Sequence, residues 1–214
     1  PVDGTYWIGD EFGPWLIQVD AEGVVLKVVK TSVGGTDYMS PDNQAVVTPN
    51  PGAELKGVNT QRSGGYEGMA QSADGKTLYP LLEKPFYDAE AKVLEQVGGK
   101  PVLRVLEFSP ADATWADAVR YYPLEDASHA IGDFNMIDET RALIIERDQN
   151  QGDARDGWAE KPAAFKRIYL VDLTQADENK VLKKIGYIDL LDIKDADGVA
   201  KRGSKYGVLS FPFV

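Results

Sequence analysis

The feature that most constrains this 214-residue chain is a short unit that comes round three times. In its clearest copy, Gly65-Tyr66-Glu67-Gly68-Met69-Ala70 leads through Asp74-Gly75 into Leu78-Tyr79-Pro80-Leu81-Leu82-Glu83-Lys84. Two apolar runs around an Asp-Gly pair read as two strands joined by a tight turn. The layout recurs with Asp3-Gly4 ahead of Trp7-Ile8-Gly9-Asp10-Glu11, and with Asp138-Glu139 ahead of Ile144-Ile145-Glu146. Aligned this way, Glu11, Glu83 and Glu146 are acidic strand ends at spacings of 72 and 63 residues. Asp20, Glu107 and Asp172 match one another on the next strand outward, each ahead of a turn.

Each unit thus reads as an inner strand, a turn, an acidic-ended strand, and two further strands. Four antiparallel strands, repeated, predict an all-β chain organised as a β-propeller of four-stranded antiparallel blades. Residues 1–60, 61–128 and 129–214 are the approximate units of a single propeller domain. Propellers close with about four to eight blades, and about three are present, so the ring is expected to be incomplete in this chain. More of the same protein, or a second chain, is expected to complete it, because an open ring exposes strand edges. The first unit also lacks a counterpart of Tyr66–Ala70, and the chain opens at Pro1 without a methionine, as a processed or truncated chain would. One stretch departs from the pattern: Asp88 to Glu95 is the best candidate for a short helical insertion.

Composition narrows the partners. The 34 acidic against 23 basic residues give a formal charge of −11, which repels phosphate backbones and argues against nucleic acid. The same excess suits hard divalent cations. There is no cysteine, which excludes disulfides, thiolate metal sites and cysteine nucleophiles. No apolar run reaches membrane-spanning length. His129 is the one histidine, and no Gly-x-Ser-x-Gly elbow accompanies it, so a serine triad finds no support. Residues 195–198, Asp-Ala-Asp-Gly, look like a calcium loop, but Ser204 stands where the closing acid is required, so a solvated turn is expected.

Four motifs in order carry a family resemblance: Gly9-Asp10-Glu11-Phe12-Gly13-Pro14-Trp15; Arg62 with Gly65-Tyr66-Glu67-Gly68-Met69-Ala70; Leu82-Glu83-Lys84; and Ile145-Glu146-Arg147-Asp148. Together they resemble the esterase-like phytase family over nearly the whole chain. The resemblance implies an exported propeller, periplasmic or secreted, with a small phosphate ester as substrate.

In a propeller the inner strand ends meet at the channel mouth, so acidic tips from successive blades converge there. Converged carboxylates raise one another's pKa unless a cation neutralises them, and calcium suits oxygen ligands. The expected metal ligands are Asp10, Glu11, Glu67, Glu146 and Asp148, and the expected catalytic carboxylates Glu67, Glu83 and Glu146. Arg62, Lys84 and Arg147 are expected to bind the substrate phosphate through charge-assisted hydrogen bonds. Asp133 and Asn135, on the inner strand of the third unit, are further candidates. The competing reading is a non-catalytic, calcium-stabilised propeller that binds a ligand or protein, with the same carboxylates capping strands and pairing with Arg and Lys.

Overall fold

In the computed structural model, which describes residues 4–44, 46, 57–88, 91–152 and 157–192, every regular element is a β-strand. Residues 195–198 lie outside the described residues. The first sheet is an antiparallel meander of β1 (Tyr6–Gly9), β2 (Trp15–Val19) and β3 (Val25–Lys30). Asp20 makes the turn between β2 and β3, its carboxylate taking the amides of Glu22 at 3.0 Å and Val24 at 2.7 Å. Residues directly opposite in a ladder share a face. Trp7, Leu16 and Val29 therefore turn one way, towards the next sheet. Ile8, Ile17 and Val28 form a rung on the other face. A hairpin of β4 (Ser32–Val33) and β5 (Thr36–Asp37) follows, turned by Gly34 and Gly35 at φ of 59° and 76°.

The second sheet starts from β6 (Tyr66–Gln71) and β7 (Leu78–Leu82), joined by the expected Asp-Gly turn. There Gly75 takes φ of 72°, and the Asp74 carboxylate receives the Lys76 amide at 3.1 Å. The segment expected to be helical is instead a small hairpin of β8 (Tyr87–Asp88) and β9 (Val93–Leu94). Asp88 takes the Ala91 amide at 2.8 Å and Lys92 adopts φ of 57°, which turns the chain back before a helix can nucleate. Next come β10 (Gln96–Val97), β11 (Lys100–Val105), β12 (Phe108–Ser109), β13 (Thr114–Trp115) and β14 (Arg120–Pro123). Val105 of β11 and Phe108 of β12 both pair with β7, so these two strands act as one bent strand. Their partners β14 and β13 form the outer rank likewise. The second sheet is thereby four ranks deep.

The third sheet is β15 (Ala130–Met136), β16 (Arg141–Arg147), β17 (Lys166–Ala176) and β18 (Leu182–Asp189), antiparallel and in chain order. Two cores lie in the seams. Leu16, Tyr66, Leu82, Leu106 and Phe108 fill the first. Leu81, Leu103, Tyr122, Ile131, Phe134 and Ile144 fill the second. Neighbouring Leu81 and Leu82 face opposite seams, as alternation along a strand requires. Each fully buried leucine contributes about 1.5–3 kcal/mol, enough for these seams to hold the sheets together.

The inner strands β6 and β15 stand side by side. A Cβ on Gly68 of β6 would lie 2.8 Å from the Phe134 Cβ and 2.9 Å from its backbone nitrogen on β15. Among the described residues the three sheets form an open arc of β-propeller blades, the first lacking an inner strand.

The close approach at Gly68 yields a stability test. Gly68→Ala should lose about 1–3 kcal/mol by overpacking the β6–β15 contact. Gly186→Ala, whose added Cβ meets nothing within 4 Å, should change little. Urea unfolding of the two variants reads the difference; equal effects would mean the inner strands do not touch there.

Candidate carboxylate site

Three carboxylates gather where the sheets meet. Glu11 follows β1, Glu67 lies in β6, and Glu83 follows β7. Their convergence begins in the backbone. The Gly65 amide donates to the Glu11 carbonyl at 3.0 Å, Tyr66 to Asp10 at 3.1 Å, and Glu83 to Gly65 at 2.8 Å. Gly65 is thus wedged between the acidic ends of two sheets. A Cβ there would come within 2.5 Å of the Glu11 carbonyl oxygen, so only glycine fits. Glu67 stands at a β-bulge, between the pairs Tyr66–Leu82 and Gly68–Leu81, and is exposed. A bulge re-aims the side chain it carries. One carboxylate oxygen from each of Glu11, Glu67 and Glu83 lies within 4.8 Å of the others.

The cluster is held in place by the loop before β6. The Ser63 hydroxyl donates to a Glu11 carboxylate oxygen. Ser63 takes φ of 47°, unusual for a residue with a side chain, and its amide reaches Asp42 at 3.3 Å. Arg62 pairs with the same Asp42. Lys84 donates to the carbonyls of Arg62 at 3.0 Å and Ser63 at 2.7 Å. Asp10 accepts the Gly13 amide and closes the turn behind Glu11.

Glu83 is the electrostatic centre. It is 5% exposed, and burial pushes its carboxyl pKa up. Lys84 and Arg147 pull it down, Glu67 and Glu11 push it up again, and the net direction is upward. Lys84 Nζ is 3.8 Å from one carboxylate oxygen and Arg147 Nη2 is 3.2 Å from the other. A crowded carboxylate with a raised pKa binds a proton or a cation more readily than a lone one. The donor set is three hard oxygen groups, which fits calcium better than a softer metal. Every sheet contributes: Glu11 the first, Glu67 and Glu83 the second, Arg147 the third.

Glu146 is not in this cluster. Its register explains why. In the third sheet the bulge falls between Ile131, opposite Glu146, and Asp133, opposite Ile145. In the second sheet the bulge falls opposite Leu82 and Leu81. Measured from the bulge, Glu83 is level with Arg147, and Glu146 with Leu82. The alignment of strand ends by sequence is therefore one residue out, and a one-residue slip reverses the face. Glu146 is fully buried in the seam between the second and third sheets. It accepts from Tyr122 Oη, the Glu125 amide and Lys184 Nζ, each at 2.8 Å, and lies 2.9 Å from His129 Nδ1. Burial and then Glu146 hold the Tyr122 phenol pKa well above its ordinary value.

Asp148 is also tied elsewhere. It binds Lys166 Nζ at 2.5 Å and the amides of Ala164 at 2.7 Å and Phe165 at 3.1 Å. Burial raises its carboxyl, but Lys166 and those amides outweigh it, and the pKa lies below the ordinary value. Asp133 accepts from the Phe134 amide and from Asn135, so these two close on each other along β15. Ser63 and Asp42 were not legible in the sequence, because both sit in a long polar loop and act through backbone geometry. The Gly64-Gly65 pair beside Arg62-Ser63 is the one local signal of a close approach there.

Comparison with known proteins supplies two matches. A family model described as "Phytase-like: Esterase-like activity of phytase" matches residues 1–207. The chain is also similar to a protein of Arthroderma benhamiae called "Uncharacterized secreted protein", 26% identical over 171 residues. That alignment covers 71% of this chain and 33% of the relative, so the chain spans about a third of the relative's length.

The two groups of carboxylates should behave differently under mutation. Glu146→Ala leaves Tyr122 Oη, the Glu125 amide and His129 without their shared acceptor and Lys184 with Glu125 alone, and should cost about 3–5 kcal/mol in urea unfolding. Any calcium-binding midpoint that a titration of the protein shows should be unchanged. An altered calcium midpoint with unchanged stability would put Glu146 in the cation site instead.

Proposed function

Because this chain belongs to the phytase-like family, we propose that it forms part of a phosphate-ester hydrolase whose reaction centre is the Glu11–Glu67–Glu83 cluster. The observation that carries this reading is the meeting of those three carboxylates within 4.8 Å, with Lys84 and Arg147 against Glu83. Glu11, Glu67 and Glu83 would hold calcium, with Asp10 in the turn beside them. Bound there, the ion supplies a Lewis acid for a phosphoryl oxygen and lowers the pKa of a water molecule, which removes the need for a protein nucleophile. Glu146 and Asp148 stay in structural roles, fixing the seam and the loop after β16.

Lys84 and Arg147 do the anion binding. With no cation present they neutralise Glu83. Were Glu83 to hold a cation, Lys84 and Arg147 would no longer be needed to neutralise it, and each could turn a donor towards a phosphate oxygen while keeping its contacts to the Arg62 and Ser63 carbonyls and to Gln149. Arg62 is bound to Asp42 and stands one residue from Ser63, at the edge of the same site. The raised Glu83 pKa sets the pH dependence. Protons and calcium compete for the cluster, so calcium binding weakens as pH falls through the Glu83 value.

The name of the Arthroderma relative supports export of this protein as well. Two apolar rungs support a longer ring. Ile8, Ile17 and Val28 cross the outer face of the first sheet, and Ile145, Ile168 and Ile188 cross the third. Both rungs suit further blades of the same propeller packed against them.

The test is a phosphatase assay, with calcium and with a chelator, beside a thermal melt. The expected result is calcium-dependent hydrolysis, a higher Tm with calcium, and lost turnover with an intact fold on chelation. Glu67→Gln should lower turnover on the order of 100-fold and abolish the calcium-dependent rise in Tm. A calcium-dependent rise in Tm without hydrolysis of any phosphate ester would leave the non-catalytic binding propeller in its place.

A further inference from the structure

Among the described residues Ser63, Lys92, Ala113 and Lys180 carry a side chain at positive φ. Lys92 turns β8 into β9, Ala113 turns β12 into β13, and Lys180 turns β17 into β18. Ser63 turns no hairpin. It sits before β6, in a segment pinned at both ends. Gln61 Nε2 donates to the Pro85 carbonyl at 2.9 Å, and the Gly65 carbonyl accepts from the Glu83 amide at 2.8 Å. Gly64 lays this segment on the stem of Lys84, since a Cβ there would be 3.2 Å from the Lys84 Cβ. A segment held on both sides keeps a left-handed residue that would otherwise relax.

The conformation engages every polar group of Ser63. Its amide donates to Asp42 at 3.3 Å, its carbonyl accepts from Lys84 Nζ at 2.7 Å, and its hydroxyl donates to the Glu11 carboxylate. Lys84 Nζ is in turn 3.8 Å from Glu83. One residue thereby links Glu11, at the end of the first sheet, to Glu83 on the second. Returning φ to the common range would swing the hydroxyl and the carbonyl relative to the amide, and the three contacts would not survive together. Strain of this kind gathers where a side chain must be aimed. We propose that Ser63 is a positioning residue, kept in a left-handed conformation so that its hydroxyl fixes Glu11 for the cation. The aiming of Glu11 rests on the cation reading of the cluster; the strain does not.

The test separates the backbone from the hydroxyl, by calcium titration calorimetry and by thermal melts without calcium. Ser63→Gly removes the hydroxyl and the strain together. It should bind calcium roughly 10- to 100-fold more weakly than wild type, the usual loss when the partner of a metal-binding side chain is removed. Without calcium it should melt above Ser63→Ala, which loses the hydroxyl but keeps a Cβ at positive φ. Ser63→Thr keeps the hydroxyl and adds a β-branch, so it should melt below wild type and bind calcium nearly as tightly. A merely structural serine would leave calcium affinity unmoved in all three. Wild-type affinity in Ser63→Gly, or a loss in Ser63→Thr as large as in Ser63→Gly, would overturn the proposal and leave the cation reading standing. Ser63→Gly melting below Ser63→Ala would overturn the strain. A wild type that binds no calcium would overturn the cation reading and this role with it.

Discussion

Gly65 is the point at which two sheets touch through their backbones, and the site depends on that contact. Its amide and that of Tyr66 reach across to the end of β1, while its carbonyl accepts from Glu83 at the end of β7. Three acidic residues far apart in sequence are thereby fixed at one place. The Ser63 and Lys84 side chains then fasten the loop around the carboxylates. What matters is that one residue has no Cβ, so the acidic strand ends can approach to backbone distance. Gly68 does the same for β6 and β15 one step along.

The energetics separate into two kinds of seam. Between the first and second sheets the contact is apolar, with Leu16, Leu82 and Phe108 at its centre and Trp7 set edge-on to Phe108 at 4.9 Å. Between the second and third sheets the apolar core surrounds a buried polar network. Lys184 lies against the Tyr169 ring at 3.9 Å and binds Glu125 and Glu146. Glu146 has four partners there, so its oxygens are satisfied. Glu83 is the opposite case: nearly as buried, shared between two cations at 3.8 and 3.2 Å, and crowded by like charges. A satisfied carboxylate holds a fold together, whereas a crowded one invites a ligand. The distinction separates two glutamates that look alike in sequence.

Much of the fold was legible because its signals are local. The Asp74-Gly75 turn, the Asp20 turn and the apolar runs around them come from residue types that act over a few positions. The carboxylates at strand ends were also readable, and Glu11, Glu67 and Glu83 do meet. Glu146 shows where such reading stops. Counting from the turn aligns it with Glu83, but the bulges fall at different points of the two strands, and pairing across the sheet decides the face. Residues 88–95 failed for a related reason. Their composition permits a helix, yet a left-handed Lys92 and the Asp88 carboxylate commit the segment to a hairpin. Ser63, positioned by backbone geometry at a positive φ, leaves no trace in residue type alone.

On the proposed reading, Glu11, Glu67 and Glu83 together hold one cation. The direct measurement is anomalous scattering from crystals of the protein grown with a lanthanide in place of calcium. A single strong peak bounded by those three carboxylates is expected, with Lys84 and Arg147 released from Glu83. A peak at Glu146 or Asp148, or an empty cluster with both ion pairs of Glu83 intact at saturating lanthanide, would contradict it.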